Sequence, residues 1–396
     1  MSKLTLKDIA VEGKRVFVRV DFNVPLTKEG GVLDDTKIRA ALPTIEYLRE
    51  RGARIILASH LGRPKGRIVE ELRMDPVARR LSELLGQTVG KVGAVIGGEV
   101  EDAAKALAPG EILLLENLRF EAGEEKDDPG FAASLSRLAD VFVNDAFGTA
   151  HRAHASNSGL ARILPAAAGL LMEKEILYLT RCRENPPSPL VAILGGKKVA
   201  DKIGVIRSFL SNADSILLGG AMANTFLRAR GFSLGDSFLE EDKIDVAFDL
   251  LQEADSRGRA KLVLPLDVVV TRELRPNSTS KIVEVEQIPA GWSAVDIGPE
   301  TVGVFKEIID KARMVLWNGP LGAYEFPPFN EGTEMVARAV AASDAESVVG
   351  GGDIVAALDQ LGLSSHMTHI STGGGAILEF WEGKKLPGLA AIDERE

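Results

Sequence analysis

Short apolar runs alternate with longer amphipathic segments along the whole chain, and this alternation constrains the fold more than any other feature. The apolar runs are contained in RVFVRVDFNVP, ARIILASHLGRP, EILLLENLRF and DVFVNDAFG in the first half, and in PLVAILGGKK, SILLGGAMAN, KLVLPLDVVV, MVLWNGPLG, SVVGGGD and HISTGGG in the second. Buried strands that alternate with helices are typical of parallel sheets. We therefore predict an α/β fold with mainly parallel strands.

The longer segments carry helical periodicity. In IRAALPTIEYLRE one stripe is formed by Ile38, Leu42, Ile45 and Leu48, and we expect Pro43 to mark a kink or the first turn. This segment is predicted to be a helix.

The chain has 396 residues, more than a single hydrophobic core usually supports, so two domains are expected. Near the middle, the segment LMEKEILYLTRCRENPPSP is predicted to form a charged, largely exposed helix stopped by Pro186, Pro187 and Pro189. Such a helix is a candidate interdomain connector. We predict an N-terminal domain over 1–170, a connecting helix and hinge over 171–189, and a C-terminal domain over 190–375.

Composition and charge restrict the possible partners. Hydrophobic residues make up 45% of the chain and charged residues 26%, as in globular proteins. The formal net charge of −10 provides no global positive field for nucleic acid or an anionic membrane. The single cysteine, Cys182, excludes an internal disulfide framework, and neither a signal peptide nor a membrane-length apolar run is seen. We therefore expect a cytoplasmic protein without nucleic-acid or membrane partners.

The two halves differ in the residues that come directly after their strands. Polar side chains come after the first-half strands, namely Asp21, Asn23, His60, Arg63, Asn117, Arg119, Asn144, Asp145, His151 and Arg152, whereas glycines come after those of the second half, at 195–196, 219–220, 319, 350–352 and 373–375. Ligands of open α/β sheets bind beyond the carboxyl ends of the strands. Guanidinium and imidazole groups suit a small, multiply anionic molecule, and glycines allow close approach to a nucleotide. Two anionic ligands suggest group transfer between them.

Each of these features also has a structural interpretation. HLGRP could be a plain turn, and Arg119 could form a surface ion pair. His151 and His154 flank Arg152. A metal site formed by the two histidines is a weaker interpretation than a site that binds phosphate or carboxylate, because no acidic or cysteine ligand follows at helical spacing.

In the second half, Lys197 and Lys198 could form a solvated turn. Lys202 lies four residues beyond Lys198 and so on the same helical face, and could reach back toward a phosphate. Asp353, after the glycines, could cap a helix or hold Mg²⁺ beside phosphate oxygens.

Taken together, the motifs resemble the phosphoglycerate kinase family over the whole length of the chain. They are RVDFNVP, SHLGRP, LLLENLRF, VNDAFGTAHRAHAS, KVADKIGVI, DIGPE, WNGPLGAYEF, GGGD and STGGGA, in the order and spacing of that family. The resemblance implies two Rossmann-like domains with parallel sheets, joined by a helix and facing across a cleft. It also implies that a C-terminal tail, 376–396, returns to the N-terminal domain.

The resemblance further implies the reaction: reversible transfer of the acyl phosphate of 1,3-bisphosphoglycerate to Mg·ADP, giving 3-phosphoglycerate and ATP. The cofactor would be Mg²⁺ bound with ATP or ADP. The N-terminal domain would bind 3-phosphoglycerate, the C-terminal domain would bind the nucleotide, and the enzyme would act as a monomer that bends at its hinge.

Site residues are implied by the matching motifs. The substrate residues would be Asp21, Asn23, Lys37, His60, Leu61, Gly62, Arg63, Arg119 and Arg152. The nucleotide residues would be Lys198, Lys202, Ala294, Glu325, Gly351, Gly352, Asp353 and Ile354, with Asp353 also the metal ligand. The catalytic residues would be Lys37 or Arg39, Lys202, Gly373 and Gly374, the two glycines opening a helix that faces the transferring phosphoryl group.

The chain departs from the family at two of these positions. Lys37, in TKIRA, stands where the family usually carries arginine, with Arg39 two residues later. We expect Lys37, rather than Arg39, to contact the carboxyl and transferring phosphoryl groups if this segment is helical. Ile354 stands where the family usually has Thr or Ser, which removes a hydroxyl that could bond phosphate.

Two other classes of protein share parts of this pattern. A nicotinamide dehydrogenase would have a doubly wound fold, but no dinucleotide fingerprint is found in the sequence. A non-catalytic two-domain binding protein would share the cleft, but it would not need both the Lys202 region and a second glycine-rich helix start. The kinase interpretation accounts for both features.

Overall fold

The computed structural model describes residues 3–256 and 259–395. The chain divides into two compact units. The N-terminal unit comprises the described residues up to Leu177 together with those from Lys385 onwards, and the C-terminal unit comprises Tyr178–Lys384. Each unit contains a six-stranded sheet.

The sheet of the N-terminal unit is entirely parallel, with the strand order β3-β4-β2-β1-β5-β6. Its strands are β1 Arg15–Arg19, β2 Arg54–Ala58, β3 Gly90–Lys91, β4 Ile112–Leu114, β5 Val141–Asn144 and β6 Ala166–Ala168. The helices are α1 Thr36–Glu50, α2 Asp75–Leu85, α3 Gly98–Ala106, α4 Pro129–Ser136 and α5 Leu170–Arg183.

Alternate residues of these strands enter two different cores, one on each face of the sheet. Val16 and Val18 of β1 pack in the core that includes Ile38 and Ile45 of α1. Phe17, between them, packs in the opposite core with residues of α3 and α4. Because both faces are covered, the strands read as continuous apolar runs, as is usual for parallel sheets.

The C-terminal unit contains a second parallel sheet, with the order β15-β14-β13-β7-β8-β9. The strands of this unit are β7 Leu190–Leu194, β8 Ser215–Leu218, β9 Lys261–Val263, β10 Asp267–Thr271, β11 Ser280–Glu284, β12 Ser293–Ile297, β13 Met314–Asn318, β14 Glu346–Gly350 and β15 His369–Ser371. The helices are α6 Ile203–Asn212, α7 Gly220–Ala229, α8 Ile244–Ser256, α9 Pro299–Ile309, α10 Glu331–Ala342, α11 Gly352–Gln360 and α12 Gly375–Trp381. The predicted α/β fold with parallel sheets is confirmed.

A three-stranded antiparallel sheet, β11-β10-β12, was not predicted from the sequence. The run KLVLPLDVVV, expected as one strand, is split by Pro265 into β9 and β10, which belong to different sheets. Proline cannot donate a ladder hydrogen bond, so a strand rarely continues through it.

Two expectations about helices need correction. Pro43 lies in the interior of α1, so the first turn is excluded and a kink at this position stays a prediction. Helix α5 ends before the prolines, as predicted, but Met172, Leu179 and Cys182 are fully buried, so the helix is not largely exposed. The boundary between the units falls within α5.

The last residues of the chain belong to the N-terminal unit. After helix α13 Pro387–Ala390, the Asp393 carbonyl accepts a hydrogen bond from the Leu4 N–H, and the Asp393 carboxylate accepts one from the Ala166 N–H. Helix α12, placed in the tail by sequence, lies in the C-terminal unit, where Trp381 packs edge to face on Phe209. No helix in the described part of the chain is long and apolar enough to cross a membrane.

Candidate active site

The polar residues of the N-terminal unit lie directly after neighbouring strands of its sheet. Asp21 follows β1 and His60 follows β2, while Arg119 lies after β4 in a short 3-10 helix, Leu118–Phe120. Arg152 lies in the segment after β5. Because β4, β2, β1 and β5 are adjacent and parallel, their carboxyl ends meet at one edge of the sheet.

Lys37 and Arg39 both lie in the first turn of α1 and bind different aspartates. The Lys37 ammonium donates to Asp21 Oδ2 at 2.9 Å, whereas Arg39 Nε donates to Asp35 Oδ1 at 2.8 Å. Burial alone would raise the pKa of Asp21, but the charges of Lys37 and other nearby cations hold it below its ordinary value. Asp21 is therefore an ionised anchor for Lys37.

The loop after β2 is tied to the other predicted substrate residues through its backbone. The Gly62 N–H donates to Asn23 Oδ1 at 2.8 Å, and the Gly62 carbonyl accepts from Arg119 Nη1 at the same distance. The Leu61 N–H and carbonyl both bond the Asn117 side chain. Leu61 and Gly62 thus use their backbone groups to position neighbours.

Two arginines, Arg63 and Arg152, lie within electrostatic range of Arg119. Burial lowers the pKa of Arg119, and the charges of Arg152 and Arg63 lower it further. Arg63 and Arg152 are exposed, whereas Arg119 is 4% exposed and pairs with Glu125 at 3.1 Å. Cations that repel one another and lie together at the carboxyl ends of adjacent strands favour an anionic ligand. Arg39, 55% exposed and paired elsewhere, does not belong to this cluster.

His60 is 5% exposed, and burial lowers its pKa well below the ordinary value, so its ring is neutral. His154 is also buried, with a pKa lowered to about 3, chiefly by burial. Within residues 3–256 and 259–395, no group of three or more His, Cys, Asp or Glu side chains is arranged to hold a metal ion. The alternative of a histidine metal pair therefore lacks a third protein ligand in the described residues.

Sequence reasoning missed a buried polar network behind this edge. It consists of Arg19, Glu124 and Ser156, which are at most 1% exposed. Arg19 lies within an apolar run that predicts only a strand, and a single arginine in such a run gives no sign of its partners. Glu124 and Ser156 lie far from it in sequence, so no local pattern connects the three residues.

In the C-terminal unit, glycines at the strand ends allow close approach between loops. A Cβ at Gly195, after β7, would lie 2.1 Å from the Pro320 carbonyl oxygen. Gly351 has φ +111°, and a Cβ there would lie 2.9 Å from Asn318 Nδ2. Glycine is therefore required at positions 195 and 351, because any side chain there would clash with neighbouring protein atoms. Helix α11 begins directly afterwards, at Gly352, so its N-terminus lies at the carboxyl end of β14.

Lys202 lies immediately before α6 and is only 8% exposed. Burial lowers the pKa of its ammonium, while the charges of Asp201 and Asp353 oppose that effect. The expectation that Lys198 and Lys202 share a helical face is wrong, because α6 begins only at Ile203, after a turn at 200–202. Lys198 is exposed.

A cavity of about 530 Å³ lies beside these residues, within the range typical of small-molecule pockets. Three of the predicted nucleotide residues line it, namely Ala294, Glu325 and Asp353. Phe238, Leu274 and Phe326 also line it and were not predicted. A cavity lined by apolar side chains together with carboxylates and glycines suits a flat base attached to a phosphorylated sugar.

Three further predicted residues differ in their exposure, since Ile354 and Gly373 are buried and Gly374 is exposed. The Ile354 side chain is fully buried in the core of the C-terminal unit, so only its backbone could face a ligand. Gly373 and Gly374 directly precede α12, with Gly374 at φ +52°. The role proposed for Ile354 is thus restricted to its N–H in the first turn of α11.

The residues present fit a magnesium ion that is bound mainly through substrate. Mg²⁺ usually takes one or two protein carboxylates and keeps phosphate and water oxygens as its other ligands. Asp353 is exposed in the first turn of α11 and lines the cavity with Glu325. A single accessible carboxylate at a helix N-terminus meets that requirement.

Comparison with known proteins identifies the family. The family model for phosphoglycerate kinase matches residues 6–384. The chain is 57% identical over 395 residues to "Phosphoglycerate kinase" of Moorella thermoacetica, covering 100% of both chains. It is 56% identical to "Phosphoglycerate kinase" of Pelotomaculum thermopropionicum, covering 99% of both.

Solved structures agree with this assignment. Phosphoglycerate kinase from Coxiella burnetii matches with a TM-score of 0.90 at 40% identity, covering 98% of both chains. The enzyme from Pyrococcus horikoshii OT3 matches with a TM-score of 0.85 at 37% identity, again covering 98% of both. Neither a nicotinamide dehydrogenase nor a non-catalytic binding protein fits these findings. The chain belongs to the phosphoglycerate kinase family, the glycolytic phosphotransferases that exchange a phosphoryl group between 1,3-bisphosphoglycerate and ADP.

Proposed function

We propose that the N-terminal unit binds 3-phosphoglycerate and the C-terminal unit binds ATP or ADP with Mg²⁺. The proposal is carried by one observation: the cationic strand edge of the first unit and the glycine-rich strand ends of the second are chemically different. Asp21 and Asn23 would orient the glycerate ligand, and Lys37, Arg63, Arg119 and Arg152 would neutralise its charge. His60 would add an uncharged contact.

The nucleotide would occupy the cavity beside α11. Its base would lie against the apolar wall of Phe238, Leu274 and Phe326, with Ala294 and Glu325 beside the sugar. The N–H groups at the start of α11 favour phosphate through their own charge and the helix dipole. Mg²⁺, held by Asp353, supplies charge neutralisation of the phosphate oxygens when bound.

Catalysis in this arrangement needs no general base. The acceptor in the ATP-consuming direction is a carboxylate, which is already ionised at neutral pH. The protein therefore has to align the two reactants and neutralise charge on the transferring group.

Lys202 suits that second task. A poorly solvated ammonium gains more from a phosphoryl oxygen than an exposed one does, and burial has already removed much of its solvent. Lys37 and the helix that begins after Gly374 would act on the same group from their own units. Ligands bound to different units must approach for transfer, so we propose bending at the segment that contains α5.

We also propose that the enzyme is a cytoplasmic monomer without nucleic-acid or membrane partners. The glycolytic role of the family and the net charge of −10 support this assignment. Sedimentation at several protein concentrations would test the monomeric state.

A coupled assay with ATP, Mg²⁺ and 3-phosphoglycerate tests the site assignment. We expect ADP formation that depends on all three components, and a Lys202→Ala variant that turns over about 10²-fold more slowly. Lys198→Ala, at an exposed lysine nearby in sequence, is the matched control, and its turnover should fall less than that of Lys202→Ala. Turnover of Lys202→Ala within a factor of about two of the wild type would refute its role.

A further inference from the structure

His60 makes a contact that limits how its ring can be protonated. Arg19 Nη2 lies 3.2 Å from His60 Nδ1, and both residues are buried. Arg19 is the last residue of β1 and His60 follows the neighbouring strand β2, so the contact joins adjacent strand ends. The proposed glycerate site lies at this edge of the sheet.

Arg19 is held on its other side by a fixed chain of hydrogen bonds. Its Nε donates to Ser156 Oγ at 2.8 Å, and its Nη1 donates to the Val20 carbonyl. The Ser156 hydroxyl donates to Glu124 Oε1 at 2.6 Å, and the Ser156 N–H donates to Glu124 Oε2 at 3.0 Å. We call Arg19, Ser156 and Glu124 the Arg19 relay.

The direction of every bond in the Arg19 relay is determined. Serine has one hydroxyl proton, which goes to the Glu124 carboxylate, so its oxygen accepts from Arg19. Glu124 is fully buried, and burial raises the pKa of its carboxyl, while the charge of Arg19 and the hydrogen bonds from Ser156 oppose that shift. The guanidinium therefore cannot turn away from His60 without leaving buried polar groups unpaired.

A guanidinium has donors only, whereas a neutral imidazole has one donor and one acceptor nitrogen. His60 Nδ1 faces an arginine N–H and must therefore be the acceptor. The single ring proton is consequently on Nε2. A doubly protonated ring would place two N–H groups against each other, next to a buried positive charge.

We propose that Arg19 is a positioning residue that fixes His60 as its neutral Nε2–H tautomer, so that the ring presents a hydrogen-bond donor to the glycerate ligand. The first half of this inference concerns the free protein, and the second half rests on the proposed function. In this state His60 donates to an oxygen of the ligand without adding charge, and the adjacent cations supply the neutralisation.

The tautomer can be measured directly in the free enzyme. Two-bond ¹H–¹⁵N correlations of ¹⁵N-histidine-labelled protein distinguish the two neutral tautomers and the imidazolium, and the chain has only five histidines to assign. His60 is assigned from the signal that disappears in His60→Gln. We expect the Nε2–H pattern at neutral pH. An Nδ1–H pattern, an imidazolium or a mixture would overturn the proposal.

The role of Arg19 is tested by Arg19→Met, with Arg15→Met as the matched control. Arg15 begins the same strand and pairs with Asp140 at its exposed end. In Arg19→Met we expect the His60 signal to become a mixture of tautomers and the KM for 3-phosphoglycerate to rise about tenfold or more. Arg15→Met should change neither. An unaltered Nε2–H pattern in Arg19→Met would show that another group fixes the ring. If Arg19→Met does not fold, the tautomer measured in the wild-type enzyme still decides, and Arg19→Lys, which keeps a donor-only group, should retain the Nε2–H pattern.

Replacing His60 with glutamine or with asparagine tests the donor role of Nε2 separately from the proposed substrate site. Glutamine can place an N–H donor near the position of Nε2, whereas asparagine is too short and its amide lies near that of Nδ1. We expect His60→Gln to retain a lower KM for 3-phosphoglycerate than His60→Asn, and the opposite order would overturn the donor role. If both variants keep the wild-type KM while the tautomer is as expected, the proposed substrate site fails and the role of Arg19 stands.

Discussion

At the scale of single residues, the first turn of α1 separates two similar cations. Successive helical residues are about 100° apart, so Lys37 and Arg39 leave the helix on nearly opposite sides. Their contacts agree with this geometry, since Lys37 binds the largely buried Asp21 and Arg39 binds Asp35. From the sequence alone either residue could take the catalytic role, because an extended segment would have placed both side chains on one side.

Lys37 should therefore carry the catalytic charge. We expect Lys37→Ala to lower kcat about 10²-fold, since a positioned charge near the transferring group is lost. Arg39→Ala should stay within about twofold, because an exposed ion pair contributes little. Lys37→Arg should retain or improve activity, since arginine keeps the charge and adds two-pronged geometry. Steady-state kinetics decides, and a larger loss at Arg39 would reverse the assignment.

The Ile354 side chain packs in the core of the C-terminal unit. Replacing it with threonine exchanges a buried ethyl group for a hydroxyl, so Ile354→Thr should lower the free energy of unfolding by about 2 kcal/mol or more. Binding of Mg·ADP to the folded variant should be nearly unchanged, because the side chain faces away from solvent. Denaturant titration and calorimetry measure the two effects.

The neighbouring, partly exposed Val355 provides a control for Ile354, since Val355→Thr should cost much less stability. A stable Ile354→Thr that binds Mg·ADP markedly more tightly would show instead that a hydroxyl at this position reaches the phosphates.

At the scale of elements, the parallel strands could be predicted because burial on both faces leaves a continuous apolar run. Strand β11 could not, since Lys281 and Ile282 are exposed and its sequence SKIVE has no long apolar run. The candidate site divides in the same way. Residues directly after strands can be predicted as candidates from position alone, whereas the connection of Glu124 and Ser156 to Arg19 depends on tertiary contacts between segments distant in sequence.

Helix α5 begins at a buried carboxylate from another segment. Asp145 Oδ1 accepts hydrogen bonds from the N–H groups of Leu171 and Met172 at 3.0 and 3.1 Å. Gly169 precedes the helix, and a Cβ there would lie 2.2 Å from the same oxygen. Burial raises the pKa of Asp145 to about 6, although these hydrogen bonds oppose the shift.

This shift predicts a pH dependence of stability with a definite sign. An unfolded aspartate has a pKa of about 3.9, so between about pH 4 and 6 the folded protein holds a proton that the unfolded chain has lost. The contribution of Asp145 therefore falls as the pH rises through this range, by up to about 3 kcal/mol. Asp145→Asn cannot titrate, so the free energy of unfolding of the wild type should fall relative to that of Asp145→Asn between pH 4 and 7.

Denaturant titrations of both proteins across this range measure the difference. Asp140→Asn is the control of opposite sign, because hydrogen bonds from Arg15 lower the pKa of Asp140 and its contribution is lost as the pH falls. Wild-type and Asp145→Asn curves that run parallel with pH would contradict the raised pKa.

At the scale of the whole molecule, both ends of the described chain belong to one unit. Lys3 donates to the Ile392 carbonyl and pairs with Glu394 at 2.6 Å, and Asn144, at the end of β5, donates to the Gly388 carbonyl. The N-terminal unit is therefore completed only after the C-terminal unit has been traversed. Truncation at Lys384 would remove contacts from the unit that carries the proposed glycerate site.

The division of ligands between the units gives a prediction for the whole molecule. Arg152 is exposed, so Arg152→Met should leave the fold intact and weaken 3-phosphoglycerate binding about tenfold or more through loss of a charged hydrogen bond. Its affinity for Mg·ADP should not change, because the nucleotide residues belong to the other unit. Lys202→Met should show the converse pattern, and Arg137→Met, at an exposed arginine paired with Glu101, should affect neither ligand. Calorimetric titration of each variant with each ligand separately measures both affinities. If one substitution weakens both ligands equally, the assignment of one substrate to each unit is wrong, even if the enzyme remains active.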